Sequence, residues 1–210
     1  MKKLITTAAV AALAFGTANA AIVNFEDSGP EGTPVLPTDF NDAGVSFTST
    51  DGLQIVGTGA PQVGFFPDDM VEGDAFGDFF LGTDFDDNET DLTITYLVPV
   101  DGLSFDLADI DDSEVFTIEV FAADGSLLET RVITAGDENT GNMAVTQVGF
   151  SGFGVQIAQV VITGRRDSGR LGIAFDNFTT DFNAIPVPAA APLFLAGLGG
   201  LAAYRRRRNG

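Results

Sequence analysis

The sequence predicts an all-β fold, an antiparallel β-sandwich of jelly-roll type. Three observations carry that expectation. Apolar residues recur with period 2 in about ten short runs between residues 21 and 182,. Turn-forming Gly, Pro, Asp and Asn separate those runs at regular intervals,. No helical period interrupts them, and no fixed-length repeat points to a solenoid,.

The chain opens with a segment that does not belong to this fold. Lys2 and Lys3 precede an apolar run, Leu4 to Phe15, and Ala18-Asn19-Ala20 follows with small residues at the two positions a signal peptidase reads,. Residues 1–20 are expected to be a secretory signal peptide, cleaved to leave Ala21 as the new N-terminus. Ala21 to Phe25 then suits a first strand, and Glu26 to Thr38 is a loop broken by Gly29-Pro30, Gly32, Pro34 and Pro37,. Val45 to Ser49 alternates, and Leu53 to Val56 follows the Asp51-Gly52 turn. Gly57 to Gly77 is loop-rich and acidic, and Phe79 to Leu81 is a short buried strand.

The second half is more regular. Leu92, Ile94, Tyr96 and Val98 are expected on one face of a strand,. Leu103, Phe105 and Leu107 repeat the pattern, as do Phe116, Ile118 and Val120. Asp124-Gly125 is a two-residue hairpin signal leading into Leu127 to Thr134,. Ala144 to Phe150 and Val155 to Thr163 flank Ser151-Gly152-Phe153-Gly154, and Leu171 to Phe182 ends the domain. Residues 21–184 are thus expected to form one β-sandwich domain, long enough for a substantial core.

Composition narrows function. Thirty carboxylates against Arg131, Arg165, Arg166 and Arg170 leave the mature domain at about −26, without a lysine. No basic surface can neutralise phosphates, which excludes nucleic acid and attraction to an anionic membrane. Neither His nor Cys is present. That removes Ser-His-Asp and Cys-His catalysis, zinc sites built on those ligands, and disulfides. Phe is the main aromatic filler, because Trp is absent and Tyr96 is the only tyrosine of the domain.

Only carboxylate chemistry remains open, and calcium suits it better than catalysis. Ca²⁺ takes six to eight oxygens from carboxylates, amides and carbonyls. Asp84-Phe85-Asp86-Asp87-Asn88-Glu89-Thr90-Asp91 is the densest oxygen cluster. Asp84, Asp86 and Asn88 fall at positions 1, 3 and 5 of an EF-hand loop, but Glu89 occupies the glycine position and Thr95 the bidentate glutamate position,. An EF-hand is rejected, and a loop site of another kind stays open. Asp109 to Glu114 is a weaker cluster. The alternative is that all these carboxylates are solvated surface. Two Asp-Ser-Gly triplets, at Asp27 and Asp167, lack the apolar strand residues that an aspartic protease needs before each Asp, and they read as turns,. A glycosidase pair cannot be nominated among thirty carboxylates. Phe65-Phe66 and Phe79-Phe80 would stack on sugars only if exposed, and strand-spaced Phe is normally core.

The last 26 residues have another character. Ile185-Pro186-Val187-Pro188-Ala189 leads, a 16-residue uncharged run from Ala189 to Tyr204 follows, and Arg205, Arg206, Arg207 and Arg208 close it. The apolar run approaches the lower limit of about 17 residues for a membrane span. The arginines are expected to stay on the cytoplasmic side as a stop-transfer block. The alternative is a plain C-terminal anchor. The combination resembles the PEP-CTERM class of bacterial sorting signals, and among them the VPLPA-CTERM variant, with IPVPA in place of VPLPA. The resemblance covers about an eighth of the chain. It implies recognition by an exosortase-type processing enzyme after export and transient insertion in the inner membrane. It further implies delivery to the cell surface or an extracellular polysaccharide matrix.

The domain's opening, Val23 to Glu26, and its ending, Gly172 to Phe178, also resemble sandwich domains that precede such tails. In those, as in many carbohydrate-binding jelly rolls, first and last strands lie side by side. That resemblance implies that Glu26 and Asp176 meet at the sheet edge around a structural Ca²⁺. The alternative for Asp176-Asn177 is a local turn hydrogen bond. The functional expectation is a structural or adhesive surface protein rather than an enzyme. A Ca²⁺-dependent carbohydrate-binding module is the second reading and a carboxylate-based polysaccharide hydrolase the third.

Overall fold

A computed structural model describes residues 21–57, 77–83, 88–142, 144–172 and 174–181. They fall within one compact unit, Ala20–Asn183. The signal segment, the sorting tail with its arginines, Asp84, Asp86 and Phe65-Phe66 lie outside the described residues. No helix among the described residues is long and apolar enough to cross a membrane.

Among the described residues, eleven strands form two antiparallel sheets. They are β1 (Ala21–Val23), β2 (Val45–Thr48), β3 (Leu53–Gly57), β4 (Phe79–Thr83), β5 (Glu89–Val100) and β6 (Gly102–Ala108). The rest are β7 (Val115–Ala122), β8 (Leu127–Thr134), β9 (Val145–Ser151), β10 (Ile157–Arg165) and β11 (Ala174–Asp181). The first sheet runs β3-β4-β11-β6-β9, with β1 also paired to β11. The second runs β2-β5-β10-β7-β8. The expected sandwich is what the chain forms, and its first and last strands are neighbours, with Ala21 opposite Thr180 and Val23 opposite Phe178.

The core sits between the sheets because each strand buries alternate residues. Leu92, Ile94 and Tyr96 of β5, Val160 and Ile162 of β10, and Phe116, Ile118 and Val120 of β7 are buried from one side. From the other side come Ile55, Leu81, Phe105, Leu107, Val148, Phe150 and Phe175. Six phenylalanines concentrate near β1. Phe25 meets Phe40, Phe47 and Phe178 edge-on at centroid distances of 5.2, 5.7 and 6.0 Å. Phe105 stacks on Phe178 at 5.5 Å and tilts against Phe175 at 6.1 Å. Such pairs add about 0.5–1.5 kcal/mol each beyond area burial, in a domain without disulfides.

A hairpin forms at Asp124-Gly125, but four residues, 123–126, separate β7 from β8 where the sequence predicts a two-residue turn. Gly125 takes φ 81°, and the Asp124 carboxylate accepts the Ser126 amide at 2.9 Å. Val98, by contrast, does not face inward with Tyr96 but is 60% exposed. The cause is an irregularity in the ladder. Ile157 and Gln159 of β10 stand opposite Val100 and Thr95 of β5, so β5 carries extra residues there and its alternation breaks after Tyr96,. The acidic run at 84–91 is also not all loop, since β5 already begins at Glu89.

Candidate functional site

The first and last strands bring Glu26 and Asp176 into one electrostatic cluster. Two left-handed residues make this possible: Phe25 and Asn177 both have φ 54°. Asn177 lies in a bulge, where the β11–β6 register shifts between Asp176 and Thr179,. The extra residue lets Phe175, Asp176 and Phe178 all be buried, at 0%, 1% and 2% exposure. Asp176 is thereby turned away from water, directly opposite Asp106 of β6. Asp106 is itself buried, and its Oδ2 accepts the Asn177 side-chain amide at 2.9 Å.

Glu26 closes the cluster from the turn that follows β1. Its Oε1 accepts the Asp78 amide at 2.9 Å and the Phe79 amide at 3.4 Å, which fixes the start of β4. Gly77 makes room for this contact. With φ 57°, a Cβ there would stand 1.8 Å from Glu26 Oε1, so no side chain fits.

The electrostatics of this arrangement are unbalanced. Asp176 Oδ1 is buried and has no hydrogen-bond partner. Burial pushes its carboxyl up to about 8, the neighbouring Glu26 and Asp106 add to the shift, and the Asn177 backbone amide only partly opposes it. Like charges opposite each other in a ladder repel, and a buried unpaired carboxylate is costly. The cluster therefore requires a proton on Asp176 or a cation beside it.

An orphaned oxygen and two nearby carboxylates are donors of the type that a hard divalent ion takes,. No group of three or more acidic side chains among the described residues converges closely enough to hold an ion unaided. Backbone carbonyls and water would have to complete the shell, as Ca²⁺ commonly allows.

The other predicted residues do different work. The Asn88 side-chain amide donates to the Arg166 carbonyl at 3.3 Å, and the Asn88 carbonyl accepts the Arg166 amide at 2.9 Å. Asp91 Oδ1 accepts the Thr50 amide and hydroxyl. These contacts join the ends of strands. The Asp109 to Glu114 cluster is likewise a cross-link, because Arg166 pairs with Asp112 and lies 3.7 Å from Glu114. Burial outweighs that guanidinium and pushes Glu114 up to about 8. Sequence reasoning missed the role of Arg166, although its being one of four cations in the domain was a signal. Asp27 and Asp167 are both exposed. Phe80 is buried in the core, as strand-spaced Phe should be.

A separate open groove of about 710 Å³ runs over one end of the second sheet. Asp51, Glu89, Asp91, Thr117, Thr163 and Arg165 line it with carboxylates, hydroxyls and one guanidinium. Neither Asp176 nor Glu114 is among its lining residues.

No protein-family model matches the chain, and no curated protein matches it. Solved structures do. A DUF4465 family protein from Bacteroides caccae is 13% identical, with 79% of this chain and 100% of that one covered at a TM-score of 0.45. TmCBM61 in complex with β-1,4-galactotriose is 10% identical, with 66% and 88% covered at a TM-score of 0.41. A structure from the carbohydrate-binding modules of the β-sandwich superfamily is 14% identical, with 74% and 59% covered at 0.38. The likeness is to β-sandwich proteins and concerns fold alone.

The buried carboxyls set a pH dependence for the metal-free protein. Asp176 and Glu114 keep their protons in the folded state, while the unfolded chain releases them near pH 4. Stability in chelator should therefore fall as pH rises from about 4 to about 8. Urea unfolding across that range tests this. Asp176→Asn should flatten part of the slope, and an unchanged slope would mean that Asp176 is not the proton carrier.

Proposed function

We propose that this is an exported, non-enzymatic β-sandwich protein of the cell surface or extracellular matrix, with a structural or adhesive role, whose terminal strands are clamped by calcium. The observation that carries the clamp is buried Asp176 with its unpartnered Oδ1, beside Glu26 and opposite Asp106. Calcium bound there supplies the positive charge that the cluster lacks. Glu26 holds β1 and the start of β4 together, Asp176 anchors the β11 bulge, and Asn177 holds Asp106 in place. Export, processing by an exosortase-type enzyme and transient membrane insertion are supported by the two terminal segments of the sequence,. A hydrolase is disfavoured because the two carboxyls with strongly raised pKa values lie away from the open groove.

A carbohydrate-binding module is the second reading. The hydroxyl- and carboxylate-lined groove favours it, since polyhydroxyl ligands need such donors and acceptors,.

Three outcomes are expected. Millimolar Ca²⁺, but not Mg²⁺, should raise the thermal midpoint of the secreted chain, by about 2.7 kcal/mol of added stability at one hundred times Kd. Asp176→Asn and Glu26→Gln should abolish the rise, and its absence in the unaltered chain would sink the clamp. Replacing Pro186 and Pro188 by Ala should leave unprocessed protein in the inner membrane on cell fractionation, and normal release would refute the sorting motif. On the carbohydrate reading, a glycan array should show binding that weakens in Asp91→Asn, whereas a blank array would leave the structural role alone.

A further inference from the structure

The edges of the two sheets are treated differently. In the first sheet, β3 is covered by the loop before β2. The Gly32 and Val35 amides donate to the Ile55 and Leu53 carbonyls, each at 2.8 Å, and the Ile55 amide donates to the Thr33 carbonyl at 2.9 Å. In the second sheet, β2 has only four residues. The remaining edges, β8 and β9, have eight and seven residues. They lie together, since the Arg131 guanidinium stands over the Phe150 ring at 4.2 Å. Among the described residues, nothing beyond the β7 ladder bonds to the backbone of residues 127–133. An uncovered strand of this length is a template for another strand.

The charges of β8 select the partner. Glu129 and Arg131 stand opposite Val120 and Ile118 of β7, which are buried, so both lie on the inner face of β8. They pair with each other at 2.8 Å, yet their side chains stay 35% and 37% exposed, because β8 is the last strand of its sheet. Charges on the inner face of an edge deter pairing with an arbitrary strand. Here the two have opposite signs and sit two residues apart, which makes the strand complementary to itself. Two antiparallel copies of β8 with their inner faces on the same side can be centred on Thr130. Glu129 of each copy then stands opposite Arg131 of the other, a favourable cross-strand pair. Centring the copies on Glu129 or on Arg131 sets like charges face to face, which is unfavourable. β9 carries no charged residue, so nothing in it selects a register.

We propose that two copies of this chain join through β8, antiparallel about a two-fold axis at Thr130. Their five-stranded sheets then become one continuous sheet. This inference goes beyond the proposed function and rests on neither export nor calcium. Val132, 54% exposed on the outer face of β8, is partly covered by the added strand. Each mature domain carries about −26, and Asp124 and Asp137 lie just beyond the two ends of β8. Salt at about 0.15 M, with a Debye length of about 8 Å, is therefore needed to screen the repulsion between copies.

The full chain has no cysteine, which permits a register-specific test in that salt. Residues opposite each other in an antiparallel ladder have Cα atoms about 4.5–5.5 Å apart, within disulfide reach. Thr130→Cys places the two thiols at the two-fold axis, whereas Thr134→Cys leaves them about 27 Å apart along the strands. Under mild oxidation, Thr130→Cys should form a covalent dimer at least ten-fold faster than Thr134→Cys on a non-reducing gel. Adding Glu129→Arg or Arg131→Glu to Thr130→Cys should slow it to the control rate, because like charges then meet. Mixing those two variants, one carrying a mass tag, should restore a cross-linked heterodimer, which a folding defect could not do. Equal rates at 130 and 134 would overturn the proposal. Single variants that stay slow when mixed would overturn it as well. Cross-linking at 130 that ignores the charge changes would overturn it in favour of association through the apolar tail.

Discussion

The pairing of β1 with β11 is the constraint on which the rest of the structure depends. β1 is only three residues long, yet it delivers Val23 and Phe25 to the core and Glu26 to the carboxylate cluster. Phe25 contacts Phe40, Phe47 and Phe178, rings drawn from the loop before β2, from β2 and from β11. Without β1, those rings lose a shared partner, β11 loses its short neighbour, and the amides at the start of β4 lose Glu26. Closure joins residues about 155 positions apart, so its loop entropy must be offset by contacts that form late. A three-residue ladder offers little for that task. Aromatic packing and the Glu26 contacts supply what the ladder does not.

Much of this was legible in the sequence because it rests on local chemistry. Period-2 runs give the faces of β5, β6, β7 and β10. Asp124-Gly125 gives a hairpin because Gly accepts φ near 80°,. The meeting of Glu26 and Asp176 was expected as well, through likeness in how the domain begins and ends. What the sequence concealed depends on the partner strand. Val98 has the same spacing as Leu92, Ile94 and Tyr96, and only the irregular pairing with β10 turns it outward. Asp106 reads as an ordinary outward strand residue until the β11 bulge places it opposite Asp176. Arg166 looks like one more surface charge until the β6–β7 connection brings Asp112 and Glu114 to it. Glu89 and Asp91 look like loop ligands until β5 and Thr50 engage them.

The distribution of charge also follows from the topology. A domain of about −26 repels itself,. Among the described residues, three carboxylates are withdrawn from water. Asp106, Glu114 and Asp176 are buried, and each has its own resolution. Arg166 stands near Glu114, and Asn177 donates to Asp106. Asp176 Oδ1 has neither. The contrast singles out Asp176: the Asn177 backbone amide serves its carboxyl, but its Oδ1 has no partner and two more carboxylates stand near it.

On the proposed reading of an exported, calcium-clamped protein, such a residue bears on when the fold closes. A chain exported through a membrane has to remain unfolded until it is across, and a domain that closes late suits that requirement. Without a cation, seating β1 against β11 requires Asp176 to take up a proton beside Glu26 and Asp106, which becomes less favourable as pH rises toward 8,. Ca²⁺ sites tuned to extracellular modules bind in the range of about 10⁻⁴–10⁻³ M, far weaker than cytosolic sites. A site of that strength stays empty inside the cell and fills outside it. On the proposed reading, Ca²⁺ favours the last step of closure in the compartment in which the protein works, and that step is the seating of β1 beside β11.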